Sequence, residues 1–142
     1  MLSGFPIRKP STARMEAMMD SGALEVVQDW YRTGNPDLLW SEIEWRVLES
    51  FPSGGIYRGR DDVINRFFPS VKAHFSAYET HPKTFMADGE TVVTTGLYRI
   101  RSKSGVITEA DFAHVWTVRD ASIVAFRQIA DTAAINASLG KI

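Results

Sequence analysis

Residues 109–120 read EADFAHVWTVRD and set one titratable ring, His114, between Phe112 and Trp116 in a strand-like run. An imidazole in apolar surroundings can donate a hydrogen bond or exchange a proton near neutral pH. The same residue can also be a core histidine bonded to a backbone carbonyl or a neighbouring hydroxyl, and the spacing leaves both roles open. Other chemistries fall away on residue type. The chain has no cysteine, which excludes disulfides, thiolate nucleophiles and cysteine-ligated metals. His74, His81 and His114 lack the short spacing of a ligand set, so no metal is expected. The glycines of GGIYRG (54–59) are wrongly spaced for a dinucleotide loop, and no βαβ unit surrounds them. There is no Gly-x-Ser-x-Gly elbow. Whatever chemistry His114 serves is expected to need no cofactor.

Composition limits the partners. A formal net charge of -1 over 142 residues gives no global pull toward nucleic acid or anionic lipid. The clusters Arg8-Lys9 and Arg99 to Lys103 are too short to alter that. No apolar run approaches the ~20 residues of a membrane span, and MLSGFPIRKPSTARM has no apolar core of a signal peptide. With the lack of cysteine, this leads to the expectation of a cytoplasmic protein.

The elements that must position His114 follow from periodicity. Residues 1–10 hold two prolines and read as a flexible arm, and residues 11–142 as a single domain. Ser11 or Thr12 can cap a first helix, and Asp20 or Ser21 a second start. Ala23, Val26, Val27 and Trp30 follow helical spacing, with Leu24 and Tyr31 beside them, up to Gly34-Asn35-Pro36. A short helical turn is expected over 36–42. The period then becomes two at Ile43, Trp45 and Val47. After the loop at 51–55, Gly59 opens a helix whose buried stripe is Val63, Phe67 and Val71, and Pro69 should kink or end it. Strands are expected over 76–86, 91–101, 106–119 and 123–130, the first an edge or bulged strand because of Pro82. Asp131 caps a last helix over 133–139. Helices first and long antiparallel strands after give an α+β class, with helices on one face of a curved sheet.

In this order, a helix ending in a Gly-Asn turn, IEWRV, GGIYRGRDDVINRFF, ADGETVVTTG and FAHVWTVRDASIVAFRQIADTAA together resemble the SnoaL-like, ketosteroid isomerase-related branch of the nuclear transport factor 2-like superfamily. The resemblance covers Ala23 to Leu139. It implies a cone-shaped α+β barrel of the cystatin-like type, with a mostly antiparallel sheet wrapped around the N-terminal helices. It also implies an apolar pocket open at one end, and a homodimer packed through the sheet. The fold hosts isomerases, dehydratases, epoxide hydrolases, polyketide cyclases and binding-only members, so fold alone does not give function.

Alternation and the resemblance together place the side chains. Phe112, His114, Trp116 and Val118 share a face, as do Val124, Phe126, Gln128 and Ala130; Thr94, Gly96, Tyr98 and Ile100; and Ile43, Trp45 and Val47. The resemblance implies that these faces line the pocket, with Gly96 leaving room in it. It puts His114 where ketosteroid isomerase keeps a protonated aspartate that donates to the substrate oxyanion. Trp45, Trp116, Phe112 and Phe126 would be walls, and Tyr98 and Gln128 would orient the ligand. Gln128 stands where epoxide hydrolase-like relatives carry an acid. A carboxamide cannot act as a general base, which argues against hydrolysis. The isomerase base maps to Val47 or Ser50, neither a carboxylate, with Glu49 between them as the candidate base. The isomerase's helical tyrosine falls near Val27, with Trp30 and Tyr31 close by.

Two functions stay open. One is a cofactor-independent isomerase, cyclase or dehydratase acting on a small apolar oxygenated molecule, with His114 as acid–base or oxyanion donor. In that case His114→Ala is expected to spare the fold and abolish turnover. The other is a non-catalytic module for a lipophilic ligand or a protein partner.

Overall fold

Buried side chains alternate along the strands at 91–102 and 107–119, and one sheet face is buried as a result. In a computed structural model, residues 12–141 are described, with side chains from residue 22 onward; the arm read over 1–10 and a cap at Ser11 lie outside them. The elements run α1 (Thr12–Thr33), a 3₁₀ turn (Pro36–Leu38), β1 (Leu39–Val47), β2 (Gly55–Arg58), α2 (Arg60–Asp62), a π turn (Val63–Phe67), α3 (Phe68–Lys72), β3 (Phe75–Asp88), β4 (Thr91–Ser102), β5 (Ile107–Arg119), β6 (Ser122–Ala130) and α4 (Thr132–Ser138). The six strands form one curved, open sheet in the order β2-β1-β6-β5-β4-β3. Every pairing is antiparallel except β1 with β6. The class is α+β, as the sequence implied. No helix of the described residues is long and apolar enough to cross a membrane.

Chain chemistry sets the boundaries. α1 runs unbroken past Asp20 and Ser21, so the second start expected there does not occur. It stops at Gly34, whose φ of 61 lets its N–H reach the Trp30 carbonyl at 2.8 Å. Asn35 then accepts from the Asp37 N–H and turns the chain into β1. The helical turn expected over 36–42 shrinks to Pro36–Leu38, because residues 39–42 already belong to β1. Their burial does not alternate, since the pairing with β6 shifts register between Leu39 and Glu44. Pro69 does not end its helix. The π turn just before it, closed by the Phe68 N–H on the Val63 carbonyl, widens the coil, and the helical run continues to Lys72. Val63, Phe67 and Val71 are buried as the stripe required. Asp131 caps α4 through the Ala134 N–H.

β3 is an edge strand, and its register slips between Pro82 and Thr84, as the proline demanded. Between β5 and β6 the chain turns through Asp120 and Ala121, both with positive φ. That is the primed geometry matching strand twist. A register shift at Thr117/Val118 accompanies it, so Ile123 rather than Val124 enters the core, correcting the face assigned at that end.

Gly96 also needs correcting. It pairs with Pro82 on one side and Phe112 on the other. A Cβ there would collide with the His81 carbonyl oxygen and the Phe112 ring. The missing side chain makes room for the bulged neighbour strand and not for a ligand. Gly96→Ala is therefore expected to destabilise the fold by about 1–3 kcal/mol through overpacking. Thermal melts check this, and an unchanged midpoint would refute it.

Candidate functional site

Register fixes the site's centre. On β5, His114 lies across from Thr94 of β4 and Gln128 of β6, and all three are buried. Four residues beyond Thr94 along β4, Tyr98 brings its hydroxyl to 2.6 Å from His114 Nε2. From α1, the Tyr31 hydroxyl comes within 2.5 Å of Nδ1. Gln128 Nε2 donates to the Tyr98 oxygen at 2.9 Å. The Phe112 ring stacks on the imidazole, with centroids 3.9 Å apart and planes 13° from parallel. Phe126 and Trp116 present edges to it.

Burial drives the electrostatics. It lowers the His114 pKa to about 3, so the ring is neutral at physiological pH. Burial also raises the Tyr31, Tyr78 and Tyr98 pKa values, and these phenols keep their protons. A neutral imidazole has one N–H and one bare nitrogen, and a tyrosine hydroxyl can serve either. The tautomer decides both bonds: an Nε2–H would donate to the Tyr98 oxygen, which also accepts from Gln128, whereas with Nε2 bare the Tyr98 O–H points at it and Nδ1–H points at the Tyr31 oxygen. The second polarity leaves the Tyr31 O–H at the end of the chain, on a half-buried residue.

Beside this chain lies a cavity of about 450 Å³, within the range that holds a small organic ligand. Of the residues singled out in the sequence, Trp45, Tyr98, His114, Trp116, Phe126 and Gln128 line it. Val47 and Phe112 are core residues outside the lining, and Gly96 is filled against β3. Glu49 is not brought to the site: it is exposed on the loop after β1, whose next residue, Ser50, is tied to α4 through Thr132 and Asn136. The described lining contains no carboxylate. The walls stack closely, with Trp45 and Phe126 centroids 3.8 Å apart. Three polar atoms on lining residues have no partner: the indole nitrogens of Trp45 and Trp116, and the Gln128 carboxamide oxygen. No group of acidic or histidine side chains among the described residues could hold a metal ion.

Sequence reasoning missed Tyr78, Phe68 and Lys72 as lining residues, and it noted Tyr31 near the isomerase's helical tyrosine without assigning it to the pocket. A signal existed for two of them. Tyr31 follows Trp30 at the end of α1, and Phe68 follows Phe67, so each stripe assigned to the core has a neighbouring stripe turned to the cavity.

Helices on the concave side of an open six-stranded sheet, with a cavity between them, match solved structures closely. The chain has the NTF2-like fold. It is similar to an NTF2-like protein from Burkholderia thailandensis E264, with 26% identity, a TM-score of 0.76 and coverage of 82% of this chain and 96% of that one. TerC, co-crystallised with polyporic acid, gives 23% identity, a TM-score of 0.75 and coverage of 84% and 99%. A putative SnoaL-like polyketide cyclase from Jannaschia sp. CCS1 gives 14% identity, a TM-score of 0.71 and coverage of 94% and 97%. No protein-family model and no curated protein matches the sequence. At these identities the likeness is one of fold, and function must come from the site. In this NTF2-like chain the site is a tyrosine–histidine–tyrosine–glutamine chain along one wall of an aromatic cavity.

Proposed function

We propose that this chain is a cofactor-independent enzyme that moves protons on a small, flat, oxygenated molecule, in an isomerisation, cyclisation or dehydration. The observation that carries the reading is the Tyr31 hydroxyl at the end of the buried chain, backed by His114 at 2.5 Å. When a proton leaves the carbon beside a carbonyl, charge builds on the carbonyl oxygen. A fixed donor in a dry cavity stabilises that charge without reorganisation. Tyr31 would be that donor. Its raised pKa suits it to donate and not to ionise, and in the tautomer with Nε2 bare His114 Nδ1–H, bonded to the Tyr31 oxygen, holds the phenol in place. With no carboxylate in the described lining, the leaving proton goes to water or to a basic oxygen of the substrate. This favours substrates whose C–H is already acidic, such as those with a carbon between two carbonyls. The fold shared with a putative polyketide cyclase and with TerC fits such a substrate. The working unit we propose is a homodimer through the outer sheet face, where Ile129 is exposed; light scattering tests it.

The second reading is a binding module, and the missing carboxylate favours it. One experiment separates the two. The bicyclic ketone 2-tetralone is incubated in D2O and deuteration beside its carbonyl is followed by NMR. The enzyme reading expects acceleration by the wild type, cut by roughly 10²–10³ in Tyr31→Phe, the usual cost of losing one such donor. Binding without acceleration leaves the module.

A further inference from the structure

The cavity lining is one-signed. Its walls are rings, and its exposed rim includes Gly34, Pro36 and Lys72. Lys72 carries the only formal charge in the described lining. Among the described residues no carboxylate forms an ion pair with it. Its ammonium stays near the rim, 5.9 Å from the centroid of the Phe68 ring. The position follows from the π turn before Pro69, because Ile64, Phe68 and Lys72 sit at four-residue steps and line the cavity together.

A cation at the mouth of a low-dielectric cleft with no acid in it draws in anions.

We propose that the ligand is an aromatic acid: a flat ring system carrying a carboxylate or an ionised enol that pairs with Lys72 at the rim. Its ring body lies among the aromatic walls, against Trp45 and Trp116. This rests on reading the cavity as a small-molecule site and narrows the class of molecule. Lys72 sets specificity by charge and takes no part in the proton chain.

The test is a pair of near-isosteres, 2-naphthoate and 2-naphthamide, titrated by calorimetry into wild type and Lys72→Met. Methionine keeps the apolar stem and drops the charge, and position 72 is exposed, so the fold is spared. The expected result is that wild type binds the carboxylate roughly tenfold more tightly than the amide, the value of about 1.4 kcal/mol. Added salt should shrink the preference, and Lys72→Met should abolish it while leaving the amide's affinity unchanged. Equal affinities in wild type, a preference that survives in Lys72→Met, or no binding of either probe would each overturn the inference. The 2-tetralone exchange assay reads the proposed reaction separately. If a neutral ketone is turned over while naphthoate has no advantage, the enzyme reading stands and its substrate is neutral.

Discussion

Replacing His114 with alanine is expected to lower the melting temperature by on the order of 10 °C, against the sequence-based expectation that the fold would be spared. Each imidazole nitrogen engages a tyrosine hydroxyl, at 2.5 and 2.6 Å. Loss of the ring strands the hydroxyl of Tyr98, which is 2 % exposed, and leaves a hole against the Phe112 ring. A buried polar group left without its partner costs about 1–3 kcal/mol. A cavity adds to this, for a total of roughly 3–5 kcal/mol. For a domain of this size each kcal/mol moves the midpoint by about 2–8 °C. His114→Gln, which can still donate and accept, should recover part of the loss. A fall below ~2 °C in the alanine variant would mean that the hydrogen-bond chain contributes nothing to the fold.

The second large effect is acid sensitivity. In the folded protein the His114 pKa is about 3, whereas an unfolded histidine titrates near ~6.5. Between these values the unfolded chain binds a proton that the folded one refuses, so acid favours unfolding. The stabilisation is complete above about pH 6.5 and is lost as pH falls toward 3. The slope is about 1.4 kcal/mol per pH unit, and the total is on the order of 5 kcal/mol. Melts from pH 7.5 to 4.5 should fall more steeply for wild type than for His114→Gln, which cannot titrate. His74 is also held below its usual pKa, by burial first and then by Lys141 and Lys103. A His74→Asn control removes its share. Glu44 and Asp62, whose pKa values are lowered chiefly by bonds to Arg46 and Arg66, act at lower pH. Equal slopes for wild type and His114→Gln would sink the prediction.

What could be read from sequence was what depends on one strand at a time. Alternation grouped His114 with Trp116, and Phe126 with Gln128, on shared faces, the family resemblance turned those faces and that of Tyr98 inward, and Pro82 marked the edge strand with its bulge. The set of motifs in order was enough to anticipate the fold. The failures occur where two elements negotiate. The shift at Thr117/Val118 exchanged Val124 for Ile123. The shift between Leu39 and Glu44 hid the first half of β1. The four residues of β2 are too few for a period to emerge. Gly96 read as empty space because its occupant, the His81 carbonyl, comes from a neighbouring strand. Tyr31 was named beside Trp30 and near the place of the isomerase's helical tyrosine, but its bond to His114, which joins residues 83 positions apart, could not be read. The notion of Glu49 as a base came from counting along a loop, and the loop carries it to solvent.

The parallel seam between β1 and β6 has a consequence for how the molecule is made. Leu39 pairs with Ile123, and Trp45 with Phe126. Ribosomes add residues at ~5–20 per second, so the first strand waits on the order of ten seconds for the strand that covers it. During that time Ile43 and Trp45, among the most buried side chains of the finished protein, have no β6 to pack against. Pairings this distant in sequence close late and make folding slow. Chains truncated before residue 122 are expected to be sticky fragments that engage chaperones, and residues 122–142 to be what releases the nascent protein into its folded state.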